Sequence, residues 1–262
     1  MAKQTVAVDL GGVRLPHPVV AASGCVGTGR DIPSLVDVHR LGGLVTKSLT
    51  FAPNRGGATP RAAESPSGIV TATGLQNPGV ASFVADDLPR LVKAGVPVFA
   101  SVAGTTVEEY IRVAGALHRE PGVAALEVYL SCPDEERGGE PFYARPERIA
   151  EVVGSVSRLS TIPVFAKLPP LVPDLVDVAR QCVRLGVAGL TLIDAPPALA
   201  IDASRLRSEL AAPVGGQPGG ECPIELAAGV FLEENALARD HVDEAAQFKC
   251  AQPLADGCPP NT

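Results

Sequence analysis

Short, nearly unbroken apolar runs separated by segments of helical length constrain this chain more than any other feature. The runs are Pro18-Val19-Val20-Ala21-Ala22, Gly43-Leu44-Val45-Thr46-Lys47, Val96-Pro97-Val98-Phe99-Ala100, Val123-Ala124-Ala125-Leu126-Glu127-Val128, Pro163-Val164-Phe165-Ala166-Lys167 and Ala188-Gly189-Leu190-Thr191-Leu192-Ile193. Each reads as a strand. Between them the pattern predicts helices over 32–41, 81–94, 106–119, 146–159 and 173–185, with Pro146 suited to a first helical turn. A strand that is apolar along its whole length is buried on both faces, and alternating helices supply the cover. The chain is therefore an α/β protein with a parallel sheet.

Six such units fit an incomplete (β/α)8 barrel or a doubly wound sheet. Polar residues close strand after strand: Ser23, Lys47, Ser101, Cys132, Lys167 and Asp194. A barrel gathers those ends around one mouth, where its chemistry takes place. The expectation is a (β/α)8 TIM-barrel-like fold, and 262 residues suit a single barrel of about 250. The last fifty residues break the pattern, with a glycine-rich loop over 215–220, a helical stretch over 225–248 and a flexible tail over 251–262. No seventh or eighth strand stands out, so the single domain, 1–250, is expected to close atypically or incompletely at its C-terminal side.

Composition narrows the function classes. Apolar residues make up 46% and charged residues 19%, which excludes a disordered chain. A formal charge of −7 argues against a nucleic-acid binder. No apolar run reaches the roughly 20 residues of a membrane span and no signal peptide is evident, so a cytoplasmic location is expected. The six cysteines show no close pairing, so free thiols and no metal are expected.

Leu130-Ser131-Cys132-Pro133-Asp134 leaves a buried strand and enters Glu135-Glu136-Arg137-Gly138-Gly139. A cysteine at such an exit is placed for acid–base work. In register with it stand Ala22-Ser23-Gly24-Cys25-Val26-Gly27-Thr28-Gly29-Arg30, Thr46-Lys47-Ser48-Leu49-Thr50, Thr59-Pro60-Arg61, Gly74-Leu75-Gln76-Asn77-Pro78-Gly79, Val102-Ala103-Gly104 and Lys167-Leu168-Pro169. Over roughly residues 5–220 this series resembles the dihydroorotate dehydrogenase family, closest to the branch that works with an NAD-linked iron–sulfur flavoprotein subunit. The resemblance implies FMN on a (β/α)8 barrel. It implies that Ala22, Ser23 and Gly24 lie against the flavin, that Lys47 and Ser48 touch flavin and substrate, and that Lys167 faces the N1/C2 edge, where a positive charge favours a reduced anionic ring. Ser101 falls near the flavin, and Gly215-Gly216 stands where the family has an early phosphate-binding pair. Cys132 resembles the base that takes a proton from C5 of dihydroorotate while hydride leaves C6. A thiol of pKa about 8.5 needs depression for that task, and Lys47 or Lys167 is expected to supply it.

The chain departs from the family at its asparagines, which both donate and accept to the substrate. Thr71 stands at the Asn of Asn-x-x-Gly-Leu, ahead of Gly74 and Leu75. Tyr129 and Asp134 replace the outer asparagines around Ser131-Cys132-Pro133, Asp194 replaces the one ending the sixth strand, and Ser101 replaces one before Val-Ala-Gly. The later glycine elements of the phosphate site are also missing, with Gly229-Val230 the nearest candidate. Two carboxylates facing a carboxylate substrate would repel it. The expectation is thus an enzyme acting on another small molecule, in specialised metabolism, with Cys132, Asp134 and Asp194 as catalytic groups and Lys47, Thr71, Gly74, Leu75, Tyr129 and Ser131 lining the substrate site. Its chemistry would be cyclisation, dehydration, isomerisation or flavin redox. The alternatives are an FMN-dependent dihydroorotate dehydrogenase of conventional activity and an inactive barrel acting as a binding protein. A homodimer is expected, with an electron-transfer flavoprotein subunit as partner if the chemistry is redox.

Overall fold

The computed structural model describes residues 7–30, 40–65, 68–212 and 215–216. Its strands are β1 (Val8–Leu10), β2 (Val13–Leu15), β3 (Val20–Ala21), β4 (Gly43–Val45), β5 (Ala62–Ser65), β6 (Gly68–Thr71), β7 (Val98–Val102), β8 (Val123–Tyr129), β9 (Pro133–Asp134), β10 (Glu140–Pro141), β11 (Val164–Leu168), β12 (Gly189–Leu192), β13 (Pro197–Ala198), β14 (Ile201–Asp202), β15 (Arg207–Ser208) and β16 (Gly215–Gly216). The helices are α1 (Gly79–Ser82), which continues through a π-turn into α2 (Leu88–Ala94), then α3 (Val107–Leu117), α4 (Pro146–Leu159) and α5 (Leu175–Arg184).

Six strands form one sheet in the order β12-β11-β8-β7-β4-β3, every pair parallel. These are the six strands expected from the apolar runs. One face carries Ala100, Leu126, Val128 and Ala166 against Tyr110 and Val113 of α3, Ile149 and Val152 of α4 and Val178 of α5. The other face carries Val45, Phe99, Ala125 and Phe165, plugged from below by Leu10, Val13 and Leu15 of the β1–β2 hairpin. Phe99 and Phe165 meet edge to face at 5.4 Å. Two buried faces explain why the strands lack polar alternation.

Helix α4 spans the residues expected for it. The Pro/Gly-rich segment 52–80, which shows no strand pattern in the sequence, holds the β5–β6 hairpin, which joins β16 and β13 in a second, four-stranded antiparallel sheet. Its strands are short and bordered by Pro and Gly, so no periodicity marks them. The helix expected over 32–41 lies outside the described residues except at its last two positions. The 225–248 helix, Gly229-Val230, the 251–262 tail and Cys222, Cys250 and Cys258 also lie outside them. No helix among the described residues is long and apolar enough to cross a membrane.

Candidate active site

Side chains two residues apart on a strand share a face, so the inward row above the aromatic layer follows from the register. Ser101 and Phe165 lie opposite Glu127, while Tyr129 and Thr191 lie opposite Lys167. One step above Val45, Phe99, Ala125 and Phe165 the sheet therefore presents Lys47, Ser101, Glu127, Lys167 and Thr191. The Lys167 Nζ pairs with Asp194 Oδ1 at 3.1 Å, and the Ser131 hydroxyl donates to Asp194 Oδ2 at 2.5 Å. The Thr191 hydroxyl donates to Glu127 at 2.7 Å, and Lys47 Nζ donates to the Thr73 hydroxyl at 3.1 Å. A run of hydroxyls links Ser23 to Ser48 (3.5 Å) and Ser48 to Ser101 (2.9 Å).

The burial of this layer sets its electrostatics. Desolvation lowers the Lys47 pKa, the charge of Lys167 lowers it further, and Asp194 opposes both. Burial raises the Glu127 carboxyl against the attraction of Lys167. Tyr129 is pushed up by burial and then by the adjacent Asp194, so its phenol stays a neutral donor.

Cys132 is 1% exposed and belongs to the core cluster that includes Tyr110 and Phe142, with Asp194 near enough to act on its charge. Burial pushes its thiol up to about 11, while the Tyr110 hydroxyl and the Gly104 backbone pull it down. The expected depression by Lys47 or Lys167 is thus replaced by a rise, because desolvation outweighs the hydrogen bonds to the thiolate. Tyr110 also donates to the Tyr129 carbonyl.

Asp134 takes a different place from the one expected. Its carboxylate is 1% exposed and receives two bonds from Arg148, at 2.6 and 3.0 Å, and one from the Glu136 N–H at 3.1 Å. It is a structural counterion and does not join Asp194 in the pocket. Thr71 lies in β6, paired with Ala62 and Gly216, so Gly215-Gly216 sits beside it in the small sheet. Gly74 and Leu75 both adopt positive φ, and a Cβ on Gly74 would lie 2.5 Å from the Gly57 nitrogen. That turn brings Thr73 to Lys47. Ala22, Ser23 and Gly24 stand next to the same lysine: Gly24 has φ +97°, and a Cβ there would face Lys47 Nζ at 4.0 Å.

Sequence reasoning missed Glu127, Thr73, Tyr110 and Arg148. Glu127 carried a signal, as the one acid within the apolar run 123–128. Tyr110 and Arg148 fall on the buried faces of α3 and α4, where an aromatic reads as core and a lone arginine as surface.

A family model described as "Dihydroorotate dehydrogenase" matches residues 5–234. The chain is 44% identical over 217 residues to the catalytic subunit of dihydroorotate dehydrogenase B (NAD(+)) from Desulforudis audaxviator, covering 83% of this chain and 71% of that protein. This chain belongs to the dihydroorotate dehydrogenase family. The same subunit from Anoxybacillus flavithermus is 42% identical, and that from Geobacillus kaustophilus 41%, each covering 81% of this chain and 68% of the relative. The family fold is a (β/α)8 barrel, and the curled six-stranded sheet supplies six of its strands. Among the described residues no group of His, Cys, Asp and Glu is gathered to hold a metal ion.

Membership at this identity overturns the expectation of a diverged dihydroorotate dehydrogenase-like enzyme with another substrate, and the inactive-barrel reading with it. The physical reason lies in the two acids. Asp194 is neutralised by Lys167 and Asp134 by Arg148, so no unpaired pair of carboxylates faces the pocket. The repulsion inferred from the replaced asparagines is absent.

Proposed function

We propose that this chain is the FMN-dependent catalytic subunit of a dihydroorotate dehydrogenase of the NAD-linked type, oxidising dihydroorotate to orotate. The observation that carries this reading is the partly buried Lys47 and the buried Lys167 at the mouth of the sheet, flanked by hydroxyls and by the inward acids Asp194 and Glu127, in a chain whose relatives bear that name. The described residues fit the ring end of FMN. Gly24 leaves the space beside Lys47 free of a side chain, and the buried Ser48 and Ser101 hydroxyls offer donors and acceptors at the strand ends. Ala22, Ser23, Gly24, Lys47, Ser48, Ser101 and Lys167 would hold that end, and Gly215 and Gly216 are proposed at the phosphate side.

Bound flavin supplies the hydride acceptor. The chain's own residues do the rest. Lys47, with Thr73 as its partner, meets the substrate carboxylate, while Ser131 and Tyr129 offer hydroxyl donors and Thr71, Gly74 and Leu75 frame the turn beside them. Cys132 Sγ, as thiolate, takes the proton from C5 of dihydroorotate. Tyr110 and Gly104 stabilise that thiolate, and the excluded water strengthens both contacts. Asp194 holds Lys167 in place by their ion pair.

The reading extends to a cytoplasmic homodimer working with an NAD-linked electron-transfer flavoprotein subunit. Exposed Leu199, Ile201 and Leu206 provide apolar surface for such contacts. Mass spectrometry of the pigment extracted from the purified protein, with orotate production from dihydroorotate and an artificial acceptor, tests the assignment. FMN and turnover are expected in the wild type, with FMN but no turnover in Cys132→Ala. A flavin-free protein without turnover, or full turnover in Cys132→Ala, would contradict it.

A further inference from the structure

Arg148 enters the interior from the first turn of α4 and is 6% exposed. Its guanidinium grips Asp134 with Nε at 2.6 Å and Nη2 at 3.0 Å, and reaches Glu136 at 2.5 Å and Glu151 at 2.6 Å. Asp134 lies two residues beyond Cys132 and opens the β9–β10 hairpin, where it pairs with Glu140. Its own carbonyl accepts the Gly139 N–H at 2.8 Å. Phe142 follows the hairpin, sits 5.3 Å from the guanidinium, and donates its N–H to the Cys132 carbonyl at 3.1 Å. Phe142 also packs edge on against Tyr110, whose hydroxyl donates to the Tyr129 carbonyl and lies near enough to the thiol to act on its charge. The segment that carries Cys132 is thus held from α4 by one buried cation.

Building on the reading of Cys132 as proton acceptor, we propose that Arg148 is a positioning residue for Cys132: its two-pronged hold on Asp134 latches the 131–141 loop and sets the thiol against Tyr110 and Gly104. A guanidinium fork matches the two oxygens of a carboxylate. An asparagine, which the family motif carries at this position, offers one acceptor oxygen and no charge. The latch therefore depends on the Asp134 that distinguishes this chain from the motif. The carboxylates of Glu136 and Glu151 are half exposed and brace the guanidinium from outside.

The test is peptide-resolved alkylation of the full chain with iodoacetamide, which needs neither flavin nor substrate. Cys25 is exposed and reports reagent activity, while Cys182, buried in α5 and bonded to none of the latch residues among the described contacts, reports global opening. In the wild type Cys132 is protected. In Arg148→Lys and Asp134→Asn, Cys132 reacts about tenfold faster or more while Cys182 stays protected, the mark of a local opening. Steady-state kinetics of the same variants show kcat falling with KM for dihydroorotate little changed, because the substrate-facing lysines are untouched. Protection of Cys132 equal to wild type in both variants overturns the latch, as does acceleration of Cys132 and Cys182 together. A wild type that never turns over dihydroorotate overturns the proposed function instead, and the alkylation pattern still decides the latch.

Discussion

Cys132 sits where opposing influences meet. Burial drives its thiol up to about 11, and the Tyr110 hydroxyl and Gly104 backbone act in the other direction by stabilising the thiolate. A base that must be thiolate to accept a proton gains activity as pH rises toward its pKa. Tyr110→Phe removes the stronger of those two influences, so the thiol pKa moves further up. The rising limb of the pH profile for dihydroorotate oxidation then shifts to higher pH, and the rate at fixed neutral pH falls. An unshifted limb in Tyr110→Phe would mean that the hydroxyl does not reach the reacting thiol. At this scale the placement of Lys47, Lys167 and Cys132 at or just past strand ends was legible from the apolar runs that lead into them. The direction of the Cys132 shift was not, since it depends on how deeply the fold buries the thiol. Asp134 misled for a similar reason: its charge is visible in the sequence, and its partner fourteen residues away on a helix is not.

The elements that aim these side chains are ordinary in their local chemistry. Helix α3 begins at Thr106, whose hydroxyl accepts the Glu109 N–H at 3.2 Å, while the Glu109 carboxylate takes the Thr105 N–H at 2.7 Å and its hydroxyl at 2.9 Å. This cap fixes the start of the helix that presents Tyr110 one turn later. Thr106→Ala should cost about 1 kcal/mol of stability, read by denaturant unfolding. Turnover should change much less than in Tyr110→Phe, because water can remake the cap at a helix end that is only partly buried. A loss of turnover as large as that of Tyr110→Phe would show that the cap positions the hydroxyl itself. The α4 boundaries were legible from Pro146 and the helical period, and the parallel strands from their unbroken apolar runs. The small antiparallel sheet was hidden because strands of two to four residues contain too few positions for a period to show.

Across the whole molecule, the parallel sheet separates two jobs. One face and the N-terminal plug make an apolar floor, and the strand ends above it carry Lys47 and Lys167 with the acids Asp194 and Glu127 in a chain of net charge −7. In the proposed reaction the two lysines would face an anionic substrate and an electron-rich ring edge. Counting replaced asparagines pointed to a new substrate. The ion pairs that silence Asp134 and Asp194 explain why that count misjudged the pocket, for pairing is a property of the fold and is not written in any single position. The central claim is tested most directly by mixing the flavin-loaded protein with dihydroorotate under anaerobic conditions and following the visible flavin band. Rapid bleaching, with one orotate formed for each flavin reduced, is the predicted result. A bound flavin that stays oxidised in the presence of dihydroorotate would contradict it.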